Sequence, residues 1–69
     1  MLGEQEAMVL EVRPIDLHGV IYSDITVTYP DRTLEQARLG PEGVPDALRP
    51  GERVLVTRVA HMIISIRRP

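Results

Sequence analysis

The sequence predicts an all-β protein, a small five-stranded antiparallel barrel with one short helical turn between its third and fourth strands. Three observations carry this prediction. Five stretches are dense in aliphatic and β-branched residues with period-2 alternation: Ala7–Arg13, Val20–Tyr29, Leu34–Leu39, Glu52–Ala60 and His61–Arg67. The connections between them are short or filled with proline and glycine, which forces antiparallel pairing. With 69 residues and no cysteine, the chain forms a single small domain over 1–69, and strands that fold back on themselves are its best route to a core.

The first strand places Met8, Leu10 and Val12 on one side of the alternation. Residues 1–5, acidic and without that pattern, are expected to be loose. Pro14 withholds a ladder donor and biases Arg13 towards extended geometry, so the strand must stop there or lie at a sheet edge. Asp16 to Gly19 supplies the connection. In the second strand Ile21, Ile25, Val27 and Tyr29 are expected to face inward, with Thr26 and Thr28 outward. Tyr29-Pro30-Asp31-Arg32-Thr33 then reads as a tight hairpin turn. Proline is pre-set for its second position, and Asp31 can bond its own backbone. Arg32 falls at the left-handed position that such a loop reserves for glycine.

Leu34–Leu39 has a composition that also suits a helix, but a hairpin needs a second arm and Gly40-Pro41 ends the segment too early for an isolated helix. The stretch from Gly40 to Gly51 is a loop. Pro45 suits the first position of a helical turn, which Leu48 would pin to the core. Pro50-Gly51 has the residues of a type II turn. The last two strands reverse near Ala60 and His61. Their runs Val54-Leu55-Val56 and Met62-Ile63-Ile64 are apolar on both faces, which suits a barrel or a self-associating sheet. Arg67-Arg68-Pro69 guard the end of the aggregation-prone segment Met62 to Ile66.

Three strands, a loop with a helical turn and two further strands make an OB-like barrel the best single topology, with an SH3-like barrel as the alternative. The segments Met8 to Arg13, Tyr29 to Leu39 and Leu48-Arg49-Pro50-Gly51-Glu52-Arg53-Val54-Leu55-Val56 resemble, in the order of their elements, the small OB-type translation initiation factors. The run Pro50 to Val56 followed by Ala60-His61-Met62-Ile63-Ile64 is similar to the end of the HypC/HupF hydrogenase-maturation chaperones. The initiation-factor resemblance implies an RNA-facing barrel. The chaperone resemblance implies a protein-docking one, although that family's working cysteine after the initiator methionine is Leu2 here.

Composition narrows the chemistry. All eight basic residues are arginine, set against ten Asp plus Glu, giving a formal net charge of −2. A dedicated nucleic-acid binder carries the opposite balance. No apolar run is long enough for a membrane-spanning helix, and cysteine-free composition fits a reducing, cytoplasmic setting. No cofactor or metal motif is present: His18 and His61 stand alone, Ser23 and Asp24 sit in no nucleophile motif, and no phosphate-loop lysine exists. Asp24, Asp31 and Glu35 would support acid–base catalysis only if they converged in a cleft. No enzymatic activity is expected.

The leading expectation is therefore a non-catalytic binding module with a protein partner or a second copy of itself. Its contact residues are placed in the last strands at Val54, Met62, Ile63, Ile64 and Ile66, with Ile63 and Val54 facing outward. The alternative is an RNA or single-stranded DNA binder that stacks a base on Tyr22 and meets phosphates with Arg13, Arg38, Arg53 and Arg58. Whether those arginines share one face separates the two.

Overall fold

The computed structural model describes residues 2–69. It is all-β: β1 (Leu2–Leu17), β2 (Val20–Thr28), β3 (Leu34–Leu39), a 3-10 turn (Pro41–Gly43), β4 (Arg53–Val59) and β5 (Met62–Arg67). They form one antiparallel sheet in the order β3-β2-β1-β4-β5. β4 returns through the long 40–52 connection to lie beside β1, which is the Greek-key arrangement. No ladder joins β3 to β5, so the sheet is open rather than a closed cylinder. The two edge strands nevertheless approach each other, and the 3-10 turn packs against β5 beside them.

β1 is longer than the sequence pattern suggests. Residues 2–5, expected to be loose, pair with β4 from Leu2↔Val59 to Gln5↔Val56. Beyond Met8 the strand leaves β4; Val9 still exchanges backbone hydrogen bonds with Gly51 and Glu52, and from Glu11 to Leu17 the strand pairs with β2 alone. That is how Pro14 is tolerated mid-strand: it faces Ser23 where β1 has only one neighbour, so its missing donor costs no second ladder. Between Val9 and Glu11 the register shifts, and Leu10 is the extra residue. The bulge changes parity, so Ala7 and Val9 point inward before it and Val12 packs on the core after it, while Leu10 is 45% exposed.

The core collects Ala7 and Val9 from β1, Ile25 and Val27 from β2, Leu39 from β3, Val54 and Val56 from β4, and Ile63 and Ile66 from β5. Leu48 pins the long loop to it, as expected, and Tyr29 closes one end. Val9, Ile25, Val27, Val54 and Val56 are the largest fully buried side chains, each contributing about 1.5–3 kcal/mol by leaving water.

Two expectations about orientation are corrected here. Ile21 is 51% exposed, because β3 ends opposite Ser23 and the β1–β2 ribbon runs on past it to the turn with nothing beneath. Val54 and Ile63 do not face outward: both are in the core, together with Ile66. The cause lies in β5, where Thr57 pairs with Ser65 but Arg58 pairs with Ile63, leaving Ile64 unpaired. That bulge lets Ile63 and Ile66, three residues apart, both point inward and turns Ile64 to the surface.

The turns carry their own logic. His18 and Gly19 both have positive φ, the pair a two-residue type I′ hairpin requires, and Asp16 Oδ1 accepts the Gly19 N–H at 2.9 Å. The helical turn forms at Pro41, not at Pro45: Pro41 occupies a first helical position and Gly43 N–H donates to Gly40 O at 3.0 Å. Gly51, at φ 90°, takes the left-handed place after Pro50, and Glu52 N–H donates back to Arg49 O. In the β2–β3 turn Arg32 N–H donates to Tyr29 O at 2.8 Å and Thr33 O accepts from Tyr29 N–H, while Arg32 itself sits at φ 71°. Arg32→Gly therefore relieves a Cβ penalty at the cost of a freer unfolded chain, and is expected to be neutral or to stabilise by less than about 1 kcal/mol in denaturant melts.

Candidate functional site

Alternation along β1, β2 and β3 sends one set of residues outward in cross-strand rows. Arg13 faces Asp24, which faces Arg38; the next row is Glu11, Thr26 and Gln36. Together they line a groove of about 400 Å³ across the outer face. Arg38 grips Asp24 with both limbs of its guanidinium, Nε to Oδ1 at 2.7 Å and Nη2 to Oδ2 at 3.0 Å. That hydrogen bonding, with the charges of Arg38 and Arg13, holds the Asp24 carboxyl below the usual carboxylate range. Gln36 donates to Thr26 Oγ1 at 3.3 Å.

The groove is bounded by apolar residues at each end. On the arm side Ile15 faces Tyr22 and Leu17 faces Val20. On the other side Met8 faces Thr28, which faces Leu34, and Leu34 is 63% exposed. A smaller hollow of about 280 Å³ lies beside it, lined by Met8, Tyr29, Pro30 and Arg53 among others.

The arginines and tyrosine singled out for nucleic acid are thus divided. Arg13, Tyr22 and Arg38 share the outer face of the β1–β2–β3 sheet, Arg53 lies at its border beside Met8 and the second hollow, and Arg58 turns to the interior side. Of the residues singled out for protein contact, only Met62 (67% exposed) and Ile64 (42% exposed) reach solvent, joined by Val59 at the β4–β5 turn. Asp24, Asp31 and Glu35 do not converge. Asp24 is held by Arg38, Asp31 accepts from the Thr33 N–H and hydroxyl, and Glu35 lies at the end of the core. His18 and His61 sit in different hairpin turns, and no group of three or more potential metal ligands occurs among the described residues.

The feature that sequence reading missed is the polar cluster around Glu35. Tyr29 donates its hydroxyl to Glu35 Oε1, Arg58 Nη2 donates to Glu35 Oε2 at 3.3 Å, and the guanidinium lies 5.8 Å from the centre of the Tyr29 ring. Arg58 Nε is also 3.1 Å from Glu35 Oε1. Its N–H is not aimed at that oxygen and remains buried without a partner, so the contact is an ion pair and not a further hydrogen bond. Glu35 comes from β3 and Arg58 from β4, so the cluster ties the two halves of the sheet where β3 and β5 share no ladder. Its sequence signal was weak because 23 residues separate the partners.

Comparison of the chain with protein-family models, curated proteins and solved structures finds no match. The site must therefore be argued from its own geometry. No helix among the described residues is long and apolar enough to cross a membrane.

Two outcomes follow for the polar cluster. Arg58→Met leaves the half-buried Glu35 carboxylate without its cation and should destabilise the fold by about 1–3 kcal/mol in urea melts. Burial, and then the hydrogen bond to the Glu35 carboxylate, push the Tyr29 hydroxyl above the ordinary tyrosine range. The folded state therefore keeps this proton where the unfolded chain loses it. The resulting stability is intact below the unfolded tyrosine value of about 10 and is lost as pH climbs beyond it. Tyr29→Phe should flatten that alkaline loss in melts followed against pH.

Proposed function

We propose that this chain is a non-catalytic binding module, an OB-type barrel that works in the cytoplasm by contact with protein, either a second copy of itself or a larger assembly in which it is an accessory subunit. The OB-type reading is supported by the Greek-key order and by the unladdered β3–β5 seam, since that fold is a partly open five-stranded Greek-key barrel. The single observation that carries the function is where the apolar surface lies. Val20 and Ile21 on one hairpin, and Val59, Met62 and Ile64 on the other, stay in water although the core has few large side chains to spare. Four of the acidic side chains are meanwhile held by arginines, in the pairs Arg38–Asp24, Arg58–Glu35, Arg67–Glu4 and Arg68–Glu52.

A second reading, an RNA or single-stranded DNA binder, is favoured by one observation: Tyr22, Arg13 and Arg38 share a face. Glu11 and Asp24 share it too. A phosphate chain laid there would meet as many anions as cations, which is why protein contact is the better reading.

Light scattering at micromolar concentration tests the proposal. The expected result is a mass above the 7.7 kDa of one chain, or a stable complex with a protein partner. A stable, strictly monomeric chain that retains no partner overturns it.

A further inference from the structure

Resting on the protein-contact reading, we infer that the occupant of the outer β1–β2–β3 face is a second copy of this chain, packed face to face about a two-fold axis that crosses β1 between Glu11 and Arg13. The face is self-complementary about that line. From the arm inward its rows are Leu17/Val20, Ile15/Tyr22, Arg13/Asp24/Arg38, Glu11/Thr26/Gln36 and Met8/Thr28/Leu34, the last continued by Arg53 beside Met8. A two-fold axis lying between two such faces and perpendicular to the strands sets each row opposite its mirror in the sequence of rows. Arg13 of one copy then meets Glu11 of the other, twice, while Ile15 covers Met8 and Tyr22 lies over Thr28.

Charge complementarity selects this occupant. Arg13 and Glu11 are both exposed, and neither has an ion-pair partner among the described residues. Each therefore offers the other copy what it lacks. Arg38 and Asp24 already neutralise each other on the same face, so covering their row strands no single charge. Taken together the four groups sum to zero, which suits a like-faced partner and disfavours a polyanion. Area points the same way. The accessible surface is 4906 Å², against about 4,300 Å² for a compact monomer of this mass. The surplus of about 600 Å² approaches the roughly 800 Å² that one partner contributes to a standard interface. The β1–β2 arm beyond the end of β3 is one source of it, with Val20 on the outer side 44% exposed.

Charge reversal tests the pairing, with dimer dissociation followed by light scattering and sedimentation on the full chain. Arg13→Glu and Glu11→Arg should each place like charges opposite one another and weaken self-association by roughly tenfold or more. The double variant, Arg13→Glu with Glu11→Arg, should restore it. Restoration separates contact between copies from damage to the fold, because the double variant keeps any repulsion between position 13 and Asp24 within one chain. A dimer that both single reversals leave intact overturns this face but leaves the interaction reading standing. A wild-type chain that is monomeric throughout overturns the inference. So does one whose outer face instead binds a mixed-sequence oligonucleotide with steep salt dependence.

Discussion

The structure depends on a single strand being shared. β1 spends its first half on β4 and its second half on β2, and so joins the two halves of the sheet. A chain this short cannot afford two separate sheets, each with its own core. One strand of 16 residues that serves both halves removes the need. The bulge at Leu10 lies just past the last pair with β4, where bending β1 re-aims its inward residues from one half to the other. Ala7 and Val9 fill the core on one side of that bend, and Val12 meets Ile25 on the other. The Greek-key order follows, because β4 pairs along the free edge of β1's first half.

Sharing β1 leaves an unladdered seam between β3 and β5, and the molecule closes it with side chains and a turn instead of backbone bonds. Pro41 to Gly43 sits against β5. A Cβ on Gly43 would lie 3.4 Å from the Ile64 carbonyl oxygen, so the close approach there has little room for a larger side chain. At the other end the Tyr29, Glu35 and Arg58 cluster spans the gap. Such a polar cluster costs desolvation that an apolar plug would not. It also works against edge pairing with other chains, because an inward-pointing charge on β3 and a bulge on β5 are both devices that blunt a strand edge. The edges are thus protected, and the apolar surface left in water lies on the outer faces and hairpin tips.

Much of this fold was legible in the sequence where local chemistry decides it. Pro30 with Asp31 marks the β2–β3 turn, and Arg32 takes the left-handed position that the loop length demands. Pro50-Gly51 marks the type II turn, and Leu48 anchors the long loop. What was not legible depends on non-local pairing. Simple alternation assigns Ile63 to the surface, but the bulge at Ile64 reverses the parity of β5 and only the partner register with β4 reveals it. Ile21 carries the composition of a core residue, and its exposure follows from where β3 happens to end. The division of the arginines is of the same kind. Arg13 and Arg38 meet through Asp24, while Arg58 is drawn inward by a carboxylate far away in the chain.

That division has a functional consequence beyond the loss of a basic stripe. Electrostatic binding to a polyanion requires cations whose neutralisation releases counterions, and an arginine already held bidentately by a carboxylate releases few. Arg38, Arg67 and Arg68 are spent in this sense on Asp24, Glu4 and Glu52, and Arg58 is held at the end of the core by its ion pair with Glu35. Those pairs hold the Asp24, Glu4 and Glu52 carboxyls below their usual range, chiefly through the arginine hydrogen bonds, so they persist well into mild acid. The proposed contact with protein rests on this balance, because a surface of matched charges with apolar residues between them suits a partner met by fit and by the alignment of opposite charges.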